Sequence, residues 1–129
     1  MTRPKDIRDP AIRVVLLPRD TNKAGTIFGG IILSYIDLAG ATEVGKTTRQ
    51  RIVTKAMKEV IFNEPVMVGE VVSFYAHTTA VGRTSVSVHV DVEVERGHQH
   101  HVRVTSADLT FVCVDAQGKP EPVVPISPA

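Results

Sequence analysis

The chain has 129 residues, of which 43% are hydrophobic and 22% charged, and its formal net charge is +1. That length suits one domain, and the balance supports a real core and argues against global disorder. Near-neutral charge without a basic run, no Trp and 5% aromatic residues speak against a nucleic-acid platform, and no run approaches the roughly 18 apolar residues of a membrane span.

Residues 1–10 are polar and charged, so a flexible N-terminus without a signal peptide is expected ahead of a folded domain over 11–115. Ala11 to Leu17 reads as a short strand stopped by Pro18, and Asp20 to Thr26 as a loop. From Ile27 to about Gly45 the pattern is helical. Ile31, Ser34, Tyr35, Leu38 and Thr42 share one stripe, and Leu33, Asp37, Gly40, Ala41 and Val44 share its neighbour. The helix carries little charge, which predicts burial on most sides. Lys46 to Arg51 is a polar, basic exit.

The period then changes from 3.6 to 2. Ile52 to Phe62 is β-capable and ends before Pro65. Val71 to Val81 is the next run, introduced by Gly69 and closed by Gly82. From Ser85 to Glu95, valines at 86, 88, 90, 92 and 94 alternate with polar residues, the mark of a strand with one wet face. RGHQHH reads as a hairpin tip, and Val102 to Val114 as the last long strand. Residues 116–129, with four prolines, are expected to be extended or disordered. One strand, one long helix and four further strands predict an α+β fold, a curved antiparallel sheet packed on the helix. The sheet covers the helix on one side only, so its remaining apolar surface and the sheet edges call for a homo-oligomer.

Three features of Asp20–Gly40 invite chemistry. Asp37 is a carboxylate in an apolar helix. Its helical neighbours Leu33, Ser34, Gly40 and Ala41 include no cation. It is either a desolvated base or nucleophile, or a group that faces solvent or pairs with a distant arginine. Gly29 and Gly30 begin the helix, where free N–H groups and the positive dipole end can stabilise a developing oxyanion. They equally permit close packing or a tight turn. Asn22 can donate to a carbonyl or orient a water, or simply close an Asx-turn.

Taken together these residues form Asp20-Thr21-Asn22, Gly25, Ile27-Phe28-Gly29-Gly30, Leu33-Ser34, Asp37 and Ala39-Gly40. The block resembles the acyl-CoA thioesterases of the hotdog superfamily, in particular the bacterial YciA type and the related brain acyl-CoA hydrolases. Phe62, Pro65-Val66, Val68 to Val72 and Val81-Gly82-Arg83-Thr84-Ser85 are similar to later segments of that family, so the likeness spans roughly residues 11 to 114. It implies a hotdog fold and hydrolysis of acyl-CoA to a carboxylic acid and CoA. Asp37 would be the catalytic carboxylate, with Asn22 reaching it from a neighbouring subunit and Gly30 donating to the carbonyl. It further implies a dimer unit, assembled as a trimer of dimers. The single cysteine, Cys113, fits a reducing compartment, so a cytoplasmic setting is expected. No cofactor is expected beyond the CoA carried by substrate and product.

Gly82, Arg83, Thr84 and Ser85, with Gly29, are the expected substrate-binding residues, since a guanidinium and two hydroxyls suit the CoA phosphates. Lys55 and Lys58 could add charge. No metal is expected: His98, His100 and His101 cluster without acidic or Cys ligands at useful spacing. His77 and His89 read as surface or satisfied histidines, and Cys113 as a small buried hydrophobe. Two alternatives remain. A hotdog dehydratase would need a His base, and none precedes His77. A non-catalytic acyl-CoA sensor would not need Asn22 and Asp37.

Overall fold

The computed structural model describes residues 9–97 and 100–126. Residues 1–8, most of the expected flexible N-terminus, lie outside that range, as do His98, Gln99 and the last three residues. In chain order the elements are β1 (Ile12–Val15), a 3-10 turn at Pro18–Asp20, α1 (Gly29–Val44), β2 (Ile52–Phe62), β3 (Val71–Val81), β4 (Ser85–Glu95) and β5 (His101–Cys113). The strands form one antiparallel sheet in the order β1-β3-β4-β5-β2. This is the α+β arrangement expected from the pattern.

The valine alternation of β4 decides which face of the sheet is dry. Val86, Val88, Val90, Val92 and Val94 are fully buried, because a period of two puts them all on the side facing α1. Across β5 they meet Phe111, Leu109, Ala107, Thr105 and Val102 in turn. The inward side chains of β5 are thus largest at Phe111 and Leu109 and smaller from Ala107 onward. At the large end α1 must come close, and it does so through Gly40. A Cβ there would lie 2.9 Å from two ring carbons of Phe111. Tyr35 stacks on Phe74 of β3 with ring centroids 5.5 Å apart.

The helix buries Ile32, Ile36, Ala39, Gly40 and Val44. This is not the stripe of Ser34, Leu38 and Thr42, all of which are exposed. Burial on most sides therefore holds: Ile31, Leu33, Tyr35 and Ala41 are partly buried against the core beside the sheet-facing stripe, and only the Ser34, Leu38 and Thr42 line is left open. Leu38 remains 56% exposed, and Phe28, at the start of the helix, 55%. The edge strand β2 is open as well, with Val53, Ile61 and Phe62 each about half exposed. A bulge between Lys58 and Ile61 interrupts its pairing with β5. Glu59 within it takes a left-handed backbone conformation, φ 52°, which bends the strand end.

Beyond β5 the chain turns back through a tight loop at Gly118 and runs along the molecule. Glu121 N–H donates to Cys113 O, Val123 N–H to Arg83 O and Ile126 N–H to Thr47 O. Gln50 braces this segment. It donates to Glu121 and to Pro122 O, and accepts from Val124 N–H. On the outer face of the sheet His89 bridges Asp108 at 2.7 Å and Asp91 at 2.9 Å. Burial pulls its pKa down, but the two carboxylates more than offset that and raise it. Cys113 is buried and free, and burial pushes its thiol pKa up.

Candidate functional site

The loop before α1 is built by Asn22. Its side-chain oxygen accepts from Ala24 N–H at 2.9 Å and Thr26 N–H at 3.2 Å, and its amide donates to Thr26 Oγ1 at 2.9 Å. Gly25, at φ 86°, makes the turn that these bonds close. The Asx-turn is therefore real, yet it does not exhaust the residue. A side-chain amide has two N–H donors, so one remains while the bonds to the loop hold the group in place.

The start of α1 carries no capping side chain. The N–H groups of Gly29 and Gly30 meet no acceptor among the described residues. They are the free donors of a helix N-terminus, at its positive end. The glycines also serve packing. A Cβ on Gly29 would touch the Phe62 ring at 3.4 Å, and one on Gly30 would run into the ring of Phe28.

Asn22 and Gly29 line one cleft of about 310 Å³, together with Ile27, Ile32, Phe62 and Thr105. It opens where the inward residues of β5 are small. Its outer wall, Asn63 to Val66, is tied down by Arg96. The guanidinium binds both Glu70 oxygens, Glu64 at 3.1 Å and Pro65 O at 2.7 Å. Arg96 holds the Glu70 carboxyl below its ordinary pKa, and Glu70 in turn raises that of Arg96. A depressed carboxylate stabilises the fold above its unfolded pKa, and that stability is lost as pH falls through the folded value. Glu70→Gln should therefore lower stability at neutral pH by about 1–2 kcal/mol. The gap to the wild type should close as pH drops from about 4.5, the ordinary glutamate value, through the lower folded one. Urea titrations across that range measure it.

Asp37 does not line this cleft. It lies half-buried between α1 and the edge strand, where Thr54 Oγ1 of β2 donates to its Oδ1 at 2.7 Å. No ion pair reaches it among the described residues. Thr54 is the neighbour of Asp37 that sequence reading missed. The two are 17 positions apart on different elements, and only β2 docking beside the helix joins them. Within the chain Asn22 and Asp37 share no hydrogen bond, and Asp37 stands outside the cleft that Asn22 lines.

Val81 to Ser85 forms the β3–β4 turn, closed by Gly82 N–H to Ser85 O at 2.8 Å. Arg83 is exposed and its carbonyl receives the C-terminal segment. The turn lies at the Phe111 end of the sheet, whereas the cleft lies at the Thr105 end. These are separated by seven β4 positions from Ser85 to Val92, about 23 Å at strand rise. One chain thus holds Gly82–Ser85 away from Gly29 and Gly30. His100 and His101 are exposed, and no cluster of three or more metal-ligating side chains occurs among the described residues. No helix there is long and apolar enough to cross a membrane.

Residues 24–100 match the model of the Thioesterase superfamily. The acyl-CoA thioester hydrolase YciA of Escherichia coli K12 is 36% identical over 116 residues, 87% of this chain and 88% of that protein. Among solved structures, Cj0915, a hexameric hotdog-fold thioesterase of Campylobacter jejuni, superposes with a TM-score of 0.86 at 44% identity, covering 93% of both chains. The hexameric thioesterase y2039 of Yersinia pestis gives 0.85 at 34% identity, over 92% of this chain and 98% of that one. The fold, the opening block and these likenesses agree: the chain belongs to the thioesterase superfamily and has its hotdog fold.

Proposed function

We propose that the protein hydrolyses acyl-CoA thioesters to a carboxylic acid and CoA, at sites that two copies of the chain complete together. The reading rests on a distance along α1. Gly30 and Asp37 are seven residues apart in one helix, about 10 Å of rise. A carbonyl held by the Gly30 N–H is out of reach of the same chain's Asp37, since proton transfer or attack needs about 3 Å. A second copy, docked on the open β2 edge and the exposed face around Phe28 and Leu38, supplies the missing half. An 11-residue strand with its outer edge open beside half-exposed apolar side chains favours such a partner. The hexameric relatives support a homo-oligomer, here a trimer of dimers.

At such a site the thioester carbonyl accepts from Gly30, and negative charge developing on its oxygen meets the helix N-terminus. Asn22 uses its remaining N–H to orient the carbonyl or a water. Asp37, positioned by Thr54, takes a proton from water as the water oxygen attacks. The C–S bond then breaks, and the proton passes to the departing CoA thiolate. In the other route Asp37 attacks directly, giving a mixed anhydride that water hydrolyses. Single turnover in heavy-oxygen water separates the two, because only direct attack carries label into the Asp37 carboxylate. CoA arrives and leaves with the substrate, so the reaction uses no further cofactor. A cytoplasmic setting suits the single free thiol.

Thiol release from a panel of acyl-CoAs tests the proposal. Turnover of several is expected, and tight binding without release would favour a sensor instead. Gly82 to Ser85 would hold the CoA phosphates. Arg83→Ala should raise KM for acyl-CoA by about tenfold with kcat little changed, the signature of lost uniform binding. An unchanged KM would remove Arg83 from the site.

A further inference from the structure

The cleft beneath the helix N-terminus has a feature that thioester hydrolysis alone does not use. Thr105 is 1% exposed, and its hydroxyl has no hydrogen-bond partner among the described residues. On the inward face of β4 and β5 every other position paired in that row is Val, Leu, Phe or Ala. A valine would fill the place of Thr105 without leaving a polar group unmatched, and an unmatched buried hydroxyl is costly. Thr105 also lines the cleft. It is paired across the sheet with Phe62, the ring that covers Gly29. Cross-strand neighbours lie about 5 Å apart, so Thr105 sits beside the ring that covers the start of α1 and shares the cleft with Gly29.

We infer that this cleft receives the acyl group, and that Thr105 selects acyl-CoAs carrying a hydroxyl or keto oxygen close to the thioester, at the 3-position. The inference rests on the thioesterase reading and deepens it. The rest of the wall suits an acyl chain: Ile27, Ile32, Phe62 and Val66 are apolar. Its volume of about 310 Å³ is that of a small-molecule site. A plain acyl chain would leave the buried hydroxyl unpaired, whereas a 3-oxygen would pair it. That difference converts to discrimination between two otherwise equal substrates.

The test compares thiol release from butyryl-CoA with that from 3-hydroxybutyryl-CoA and acetoacetyl-CoA, using the full chain. The wild type should show the higher kcat/KM for the oxygenated substrates. Thr105→Val, equal in shape but without the hydroxyl, should lower that ratio about tenfold, and Thr105→Ser should keep it. A ratio unchanged in folded Thr105→Val overturns the inference and means that the hydroxyl is matched by water or left bare. If Thr105→Val does not fold, the wild-type ratio decides, and a value at or below one overturns it. Butyryl-CoA turnover by the wild type separates the two levels. With turnover but no selectivity only the Thr105 reading falls, while release from none of the three ends both.

Discussion

Replacing Asp37 with asparagine is expected to lower kcat for acyl-CoA thiol release by about 10²–10⁴-fold while the protein stays folded. The substitution keeps shape, and the amide oxygen can still accept from Thr54, whose bond to Oδ1 is 2.7 Å. What it removes is the proton acceptor and the nucleophile, so both routes fail together. A folded Asp37→Asn variant with near wild-type turnover would show that the carboxylate is a structural group on β2's side of the helix and nothing more. The proposed sharing of the site between two copies gives a second readout. Mixed and reassembled chains of Asp37→Asn and Asn22→Ala should recover about one quarter of the wild-type sites, because half of a random set of two-fold dimers are mixed and each rebuilds one intact pair. Chains working alone would recover nothing.

The second large effect is on stability. Gly40→Val should cost about 1–3 kcal/mol, seen as a lower urea midpoint at unchanged slope. The added Cβ would stand 2.9 Å from the Phe111 ring, and Phe111 is 1% exposed, with no room to retreat. Gly40→Ala should cost less, since alanine regains about 1 kcal/mol of helix propensity against the same clash. The packing matters for chemistry as well. Gly40 is one turn from Asp37, so a helix lifted from the sheet carries the carboxylate away from Thr54. A variant as stable as wild type would mean that the ring yields, and that the close approach is not what seats α1.

Much of the fold is legible in the sequence because burial imposes periods. The spacing of the β4 valines alone assigns them to one face, and β2, β3 and β4 match their expected ranges, Ile52–Phe62, Val71–Val81 and Ser85–Glu95. The helix is shorter than expected at its start, Gly29 rather than Ile27, because Ile27 N–H pairs with Val66 O and keeps the chain extended. The helical stripe that faces the sheet is not legible. Leu38 and Ile36 are equally apolar, and only the position of Phe111 and Phe74 decides between them. The site is half legible for a similar reason. Asn22, Gly30 and Asp37 lie within 16 positions of one another in sequence, so a motif can carry them. Thr54 meets Asp37 only where β2 docks beside the helix, and Thr105 meets Phe62 only through strand pairing beyond the bulge in β2.

The C-terminal segment is held by its backbone. Glu121, Val123, Val124 and Ile126 each give their N–H to an acceptor, while Pro120, Pro122 and Pro125 have none to give. The prolines therefore occupy just those places where a nitrogen is not asked for, and stiffen the chain between the anchors at no loss of bonding. Such a strap is encoded in the rhythm of its imide and amide nitrogens more than in its side chains. Moving Pro122 on by one position would put an imide at 123 and unfasten the strap from the turn that carries Arg83.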